Sequence, residues 1–306
     1  MQFFMLLCMK LSLSRHQAKL PNSLRGASYM VLSACFFAIT AGLIRFATRE
    51  VHPFEAAFLR SFSGFLFMLP LVVGTGLGSF RIKRPKLHIL RGIISGFGTL
   101  LWSSALALLP VGEAVALNFT APLFATMMAP FILHEIIRFR RWLACGLGFL
   151  GVIIMLRPGL EVVSLGALLS IGSAAAIACN MIIIRIISQQ DNARIVVLTF
   201  SFFTSLVSFV PAVFVWQTPS WTILGALVLC GLLATLAHLL LTRAMAIAEM
   251  TAIAPLDFVR LLFAAGIGFI WFSEVPDFWS ALGAVIIAGS AVYIARHEAK
   301  AESKKS

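Results

Sequence analysis

Ten runs of predominantly apolar residues, each long enough to cross a lipid bilayer, follow one another along this 306-residue chain. They fall at about 26–46, 54–74, 89–109, 113–133, 140–157, 164–186, 195–216, 221–243, 250–272 and 278–296. Roughly 20 apolar residues carry a helix across the hydrocarbon core. No water reaches that core to bond exposed N–H and C=O groups, so each run must satisfy its own backbone and become a helix. A barrel would instead need alternating segments of about ten residues, and the sequence lacks them. Composition agrees: the chain is 60% apolar and 12% charged, where a soluble domain carries about 45–50% and 25%. The predicted fold class is an all-α integral membrane protein of ten transmembrane helices.

A net charge of +12 would suit a nucleic-acid partner if the basic residues formed a patch or stripe. They lie in short connections between apolar runs, which is the positive-inside pattern, and no nucleic acid is expected. With the N-terminus placed inside, that side holds 19 Lys and Arg, among them Arg81, Lys83, Arg84, Lys86 and Arg91. The opposite side holds three, Arg45, Arg49 and Arg157, while Arg60 and Arg260 fall within runs. The asymmetry predicts both termini in the cytoplasm and an even number of spans. Residues 1–25 read as a cytoplasmic extension and 298–306 as a cytoplasmic tail. The apolar stretch Met1–Met9 is too short to span and lacks the preceding positive charge of a signal peptide. The cysteines Cys8, Cys35, Cys145, Cys179 and Cys230 show no C-x-x-C or His-partnered spacing, so neither a disulfide framework, a metal nor a cofactor is expected.

The two halves repeat. At a shift of 140, Gly26, Ala27, Ser33, Ala34, Ala38, Ile44 and Arg45 fall on Gly166, Ala167, Ser173, Ala174, Ala178, Ile184 and Arg185. Phe62 and Pro70 meet Phe203 and Pro211 at 141, Trp142-x-x-x-Gly146 meets Trp279-x-x-x-Gly283 at 137, and Glu113 meets Glu249 at 136. Single coincidences of small residues mean little, but four helix pairs at nearly one offset define a repeat. Five spans is an odd number, so the second half enters the membrane inverted. Secondary transporters share this plan, with a site near the midplane between halves. The repeats are expected over residues 26–158 and 159–297.

The stretch from Leu108 through Gly112-Glu113 and Asn118 to Ala121-Pro122-Leu123, Glu135, Trp142 and Gly148–Pro158 resembles an EamA domain. Its partner stretch runs from Ala248-Glu249 through Ala254-Pro255-Leu256 and Glu274 to Trp279 and Gly283, although the two Ala-Pro-Leu triplets align at 133 rather than 136. EamA domains define the drug/metabolite transporter superfamily, and the resemblance covers about residues 26–297. It implies ten helices around a central cavity, alternating access and a bacterial inner-membrane location. His52-Pro53-Phe54-Glu55 with Arg60, and Pro276-Asp277 with Gly283-Ala284, further resemble the branch containing S-adenosylmethionine uptake carriers. Riboflavin carriers and amino-acid exporters share much of the scaffold.

Asp257 and Arg260 form the sharpest candidate pair. Counted from a helix starting near Met250, Arg260 lies about 15 Å deep. Each ionised group there costs roughly 2.5–3.5 kcal/mol on insertion scales. Their i, i+3 spacing puts both on one face. The pair either locks helix 9 to a neighbour or lines the cavity, Arg260 receiving a carboxylate or phosphate and Asp257 an amine or proton. Arg60 either joins them or snorkels to the interface. Pro122 and Pro255 free the carbonyls of Asn118 and Thr251, which makes Asn118 and Thr120 candidate site residues unless the prolines are mere kinks. Trp102, Phe119 and Phe258 could stack on a ring or simply fill the core. Asn180 and His238 are isolated midhelix polar groups, the latter read first as an interhelical hydrogen-bonding residue. Ala144-x-x-x-Gly148 and Ser280-x-x-x-Ala284-x-x-x-Ala288 are small-residue faces assigned to scaffold or homodimer contact.

The partners expected are therefore a small-molecule substrate and the lipid bilayer. An enzyme would need a nucleophile with its base, paired acids or a metal cluster, and H-E-x-x-H and G-x-S-x-G are both missing from the sequence. A channel or membrane assembly factor is the remaining alternative from another class. The inferred charge set of Arg60, Arg260 and Asp257 suits a zwitterion or anion bearing a carboxylate, such as an amino acid or an adenosylated amino acid.

Overall fold

The computed structural model describes residues 22–73, 82–133, 139–156, 164–187, 191, 193–247, 256–257 and 259–302. These form α1 (Asn22–Ala47), α2 (Pro53–Val73), α3 (Pro85–Leu108), α4 (Val111–Asn118), α5 (Ala121–Leu133), α6 (Phe139–Leu156), α7 (Leu165–Ile187), α8 (Ala193–Phe214), α9 (Trp221–Ile247), α10 (Val259–Phe272) and α11 (Phe278–Glu302). Among the described residues every regular element is helical. Five helices are long and apolar enough to cross a membrane alone, within α1, α3, α7, α8 and α9. α4 and α5 continue one span across a break, and the ten spans are those expected from the apolar runs.

One run differs from the expected unbroken helix. Span 4 breaks at Phe119–Thr120 and restarts at Ala121. Pro122 is the second residue of the new helix, where a missing N–H costs nothing because first-turn amides have no intrahelical acceptor. In span 9 the described helix is Val259–Phe272, with Leu256 and Asp257 in a turn before it, and the start expected near Met250 lies outside the described residues. The depth of Arg260 is therefore measured from the other end. It lies 12 residues before Phe272, about 18 Å along the axis at 1.5 Å per residue, still near the middle of an approximately 30 Å core.

Helix pairing carries the two-fold pattern of the repeat. α1 packs on α9 and, in the other half, α7 packs on α3; α2 on α9 is matched by α8 on α3, and α10 on α1 by α4 and α5 on α7. The pairs α2–α8, α6–α11 and α4–α10 each map onto themselves. Without a hydrophobic drive between helices in lipid, close approach depends on small residues. A Cβ on Gly231 of α9 would stand 2.6 Å from the Arg60 carbonyl and 2.7 Å from the Gly64 amide of α2. The backbones there are in contact, which fixes Arg60 against α9. Gly96 of α3 makes room for the Val207 side chain of α8. Gly151 of α6 abuts the Gly283 carbonyl, Ile286 and Ile287 of α11, and Gly148 meets Leu123 and Ser290. The α11 face thus runs through Gly283, Ile287 and Ser290, one position away from the Ala284 and Ala288 stripe expected from the sequence.

Large apolar side chains cover the outside, with Leu262, Phe269, Ile270 and Val285 all more than half exposed. Four of the six tryptophans, Trp216, Trp221, Trp271 and Trp279, cluster at the membrane end opposite Asn22 and Glu302, as an interfacial aromatic belt does. We call this the distal end, and the other the terminal end.

Candidate functional site

The interior polar groups lie on helical stripes. In α3, His88, Arg91, Ser95, Thr99 and Ser103 are all buried, and their spacing of three or four residues turns them to one side. In α8 the buried set Ser201, Thr204, Ser205 and Ser208 does the same. Where α2, α8 and α9 meet they enclose a narrow cavity lined by Arg60, Phe200, Ser201, Thr204, Thr235 and His238, among others. Its free space is about what a single water molecule needs.

His238 is the hub of this region. Its ring meets Phe37 of α1 edge-on at 5.0 Å between centroids and Phe200 of α8 at 5.5 Å. Each of those phenylalanines carries a guanidinium. Arg260 lies 5.8 Å from the Phe37 ring centre and Arg91 lies 5.0 Å from that of Phe200. Arg260 also sits 4.5 Å over the Phe119 ring, at the break in span 4. Its nearest carboxylate is Asp257, at 3.4 Å. Arg91 donates from Nη1 to the Val196 carbonyl at 2.9 Å. The Nε groups of Arg60, Arg91 and Arg260 are all buried without a hydrogen-bond partner among the described residues.

The structure therefore puts Arg60 beside His238 on the interior cavity and not at the interface, links Arg260 to His238 through the Phe37 ring, and places Asp257 against Arg260. Trp102 packs half-buried on the adjoining apolar cluster that contains Phe119. Asn118 and Thr120 are already committed. Asn118 donates to Ser173 Oγ at 2.7 Å, tying α4 to α7, and Thr120 donates to the Leu117 carbonyl at 2.7 Å. Asn180 accepts from Ser95 at 2.9 Å. Pro255, Thr251 and Phe258 lie outside the described residues. Arg91, counted in the sequence among loop charges, is a buried interior residue. Moving it, and the ion-paired Arg45, out of the loop counts leaves 18 against two (19 − 1 and 3 − 1). The stripe His88, Arg91, Ser95, Thr99 is the signal that would have placed it inside.

Carboxylates tie each end of the bundle. At the distal end Glu274 Oε1 lies 2.7 Å from Arg45 Nε of α1 while Oε2 accepts the Val111 amide at 2.8 Å, capping α4. Arg45 also donates to the Leu106 carbonyl at 2.8 Å. Ser273, at φ 57°, ends α10 in the left-handed region, and the Glu274 amide turns back to the Gly268 carbonyl, a six-to-one helix stop. A Cβ at Gly268 would stand 2.9 Å from Glu274 Oε2, so the glycine makes room for the carboxylate. Glu113 accepts from Ser280, Glu50 from the Ser220 amide and hydroxyl, and Glu55 from the Gln217 amide.

At the terminal end, His88 stands 2.8 Å from Thr199 Oγ1 and 2.9 Å from Asp191 Oδ2, and Asp191 Oδ1 accepts the Lys83 amide at 3.2 Å. Burial pushes the Asp191 carboxyl up, but the His88 hydrogen bond, the Lys83 amide and the charges of both residues outweigh it and hold the carboxyl below its ordinary range. A depressed carboxyl contributes stability that is complete above its unfolded value, near 3.9, and disappears as pH falls through the folded value. Thermal unfolding in detergent should thus lose the contribution of the Asp191 carboxylate as pH falls below about 4. Asp191→Ala should lower stability by about 1–3 kcal/mol at neutral pH, because His88 and the Lys83 amide lose their buried acceptor. An unchanged unfolding midpoint would remove this network from the account of stability.

Ten spans in two inverted halves, closed over a polar interior, define a membrane transporter of small metabolites. A model of the EamA-like transporter family matches residues 24–157 and again residues 164–296. The chain belongs to that family. The S-adenosylmethionine uptake transporter of Rickettsia prowazekii is 31% identical over 94% of this chain and 97% of its own length. The riboflavin transporter of Rhizobium johnstonii is 28% identical over 91% and 93%. A solved crystal structure superposes at a TM-score of 0.62 with 19% identity, over 92% of this chain and 98% of its own, which supports the fold.

Proposed function

We propose that this carrier moves a ring-bearing amino-acid derivative, of the adenosylated kind, across the bacterial inner membrane by alternating access, with both termini in the cytoplasm. The observation that carries the reading is the cluster around His238. Guanidiniums of Arg60 and Arg260 suit a carboxylate, Asp257 suits an amine, and the Phe37, Phe119 and Phe200 rings suit a planar base. The likeness to S-adenosylmethionine uptake transporters supports the same reading. Riboflavin is the second reading, favoured by those rings but using neither the acid nor the arginines.

Purified full-length protein, screened by thermal shift against S-adenosylmethionine, related adenosyl amino acids, methionine and riboflavin, tests this. A ligand at 100 times its Kd stabilises the fold by about 2.7 kcal/mol. Stabilisation by at least one adenosyl amino acid, with matching flux in vesicles, is the expected result; a response to riboflavin alone transfers the assignment to the second reading. Orientation is tested separately. A reporter active only in the cytoplasm should be active when fused after residue 86 or 190 and silent after residue 110 or 218, and reversed signals would turn the protein over.

A further inference from the structure

We infer that the arginine-lined interior around His238 selects its cargo by charge, holding an anionic group and disfavouring any species with a net positive charge. This deepens the function proposed above and takes its cargo class from that reading. Three guanidiniums converge on one short path through the bundle: Arg260 on Phe37, Phe37 on His238, His238 on Phe200, Phe200 on Arg91, with Arg60 on the cavity wall beside His238 and Phe200. The described carboxylates do not balance them. Asp257 pairs with Arg260, Asp191 is tied to His88 and Lys83 at the terminal end, and Glu55 faces the Gln217 amide at the distal end. Arg91 is the most telling member, because it is 6% exposed and its Nε has no partner among the described residues.

A charge in the bilayer is costly, and arginines facing a bundle interior mark the route of an ion or a charged solute. Low-dielectric walls focus such a field and raise the local concentration of the opposite charge by 10-fold to 1,000-fold. A carboxylate or phosphate gains from all three groups at once. A species whose sulfonium and ammonium outnumber its carboxylate is repelled by the same field, so S-adenosylmethionine itself should be a poorer ligand than its uncharged-sulfur counterpart.

The field is read without any cargo by a single cysteine at Thr235, which lines the cavity, in a background lacking the five native cysteines. Its rates with an anionic sulfonatoethyl and a cationic trimethylammonioethyl methanethiosulfonate are each divided by the rate with a free thiol. The anionic reagent should be favoured at least about tenfold, and Arg91→Gln should reduce that preference. A second arm uses the wild-type chain and avoids the cysteine background. Thermal shift compares S-adenosylmethionine, its neutral thioether S-adenosylhomocysteine, and the N-acetylated, anionic thioether. The neutral thioether should bind at least about tenfold more tightly than the first, and the acetylated one, without the amine that Asp257 would take, should still bind more tightly than the sulfonium. Equal or cation-favoured labelling, or tightest binding by the sulfonium, overturns the inference while leaving the cargo class standing. If none of the three ligands binds but anionic labelling is favoured, the cargo class fails and the charge selection stands. No reaction with either reagent, together with no order among the ligands, overturns the inference.

Discussion

Asp257→Asn should cut transport by about tenfold or more while leaving the protein at nearly normal abundance in the membrane. The substitution keeps the shape of the side chain and removes its charge. The interaction lost is a charge-assisted contact at 3.4 Å in a half-buried pair, worth about 1.5–3 kcal/mol, and about 1.4 kcal/mol is a factor of ten. Here the survivor is Arg260, whose Nε already lacks a partner among the described residues and whose remaining neighbours are the Phe37 and Phe119 rings. Cation–π contact with those rings, worth about 2 kcal/mol when desolvated, keeps Arg260 tolerable in the fold. The double variant Asp257→Asn, Arg260→Gln separates the two roles of the pair. If the pair only locks α10 in place, removing both charges should restore abundance and transport together, as replacing buried pairs often does. If it meets the cargo, the double variant should be abundant and inactive. Vesicle flux measured beside quantified membrane protein decides between them.

The helices were legible in the sequence because the bilayer allows so little else. Most ends of the apolar runs fall within a few residues of the helices, and the repeat offset of about 140 reappears as the matched pairing of α1 on α9 with α7 on α3. What could not be read was pairing through space. The position of Arg260 in the middle of the membrane was readable, whereas its approach to Phe37, more than two hundred residues earlier, was not. His88 and Asp191 are separated by 103 residues, and nothing local to either names the other. Arg91 was misplaced because a charge count treats the edge of an apolar run as loop. α3 continues past that edge, and the stripe through His88, Ser95 and Thr99 carries the arginine inward. Asn118 likewise has a partner that no local signal names. A freed carbonyl beside a proline drew attention to its side chain, yet the α4–α7 contact had already used that side chain on Ser173.

Glu274→Gln should loosen the distal end and change which side of the carrier is reached by water. One carboxylate there holds three spans: Arg45 of α1, the first amide of α4 at Val111, and its own position after α10. The glutamine keeps a carbonyl acceptor for one of these contacts but loses the charge that pairs with Arg45. Removing a charge-assisted bond of this kind is worth about 1.5–3 kcal/mol, enough to shift a two-state equilibrium by roughly 10- to 100-fold. The turn at Ser273 argues that the geometry is maintained at a cost, since a left-handed backbone on a residue other than glycine carries about 1–3 kcal/mol of strain. Gly268 adds a second handle. Gly268→Ala would place its methyl group against Glu274 Oε2 and should displace the carboxylate without changing any charge. Both variants should therefore increase labelling of a cysteine at Ala114, buried at the distal end of α4, by a membrane-impermeant thiol reagent, and Glu274→Asp should restore part of the protection. If labelling stays at the wild-type level in both, the distal contacts brace the scaffold and do not govern access.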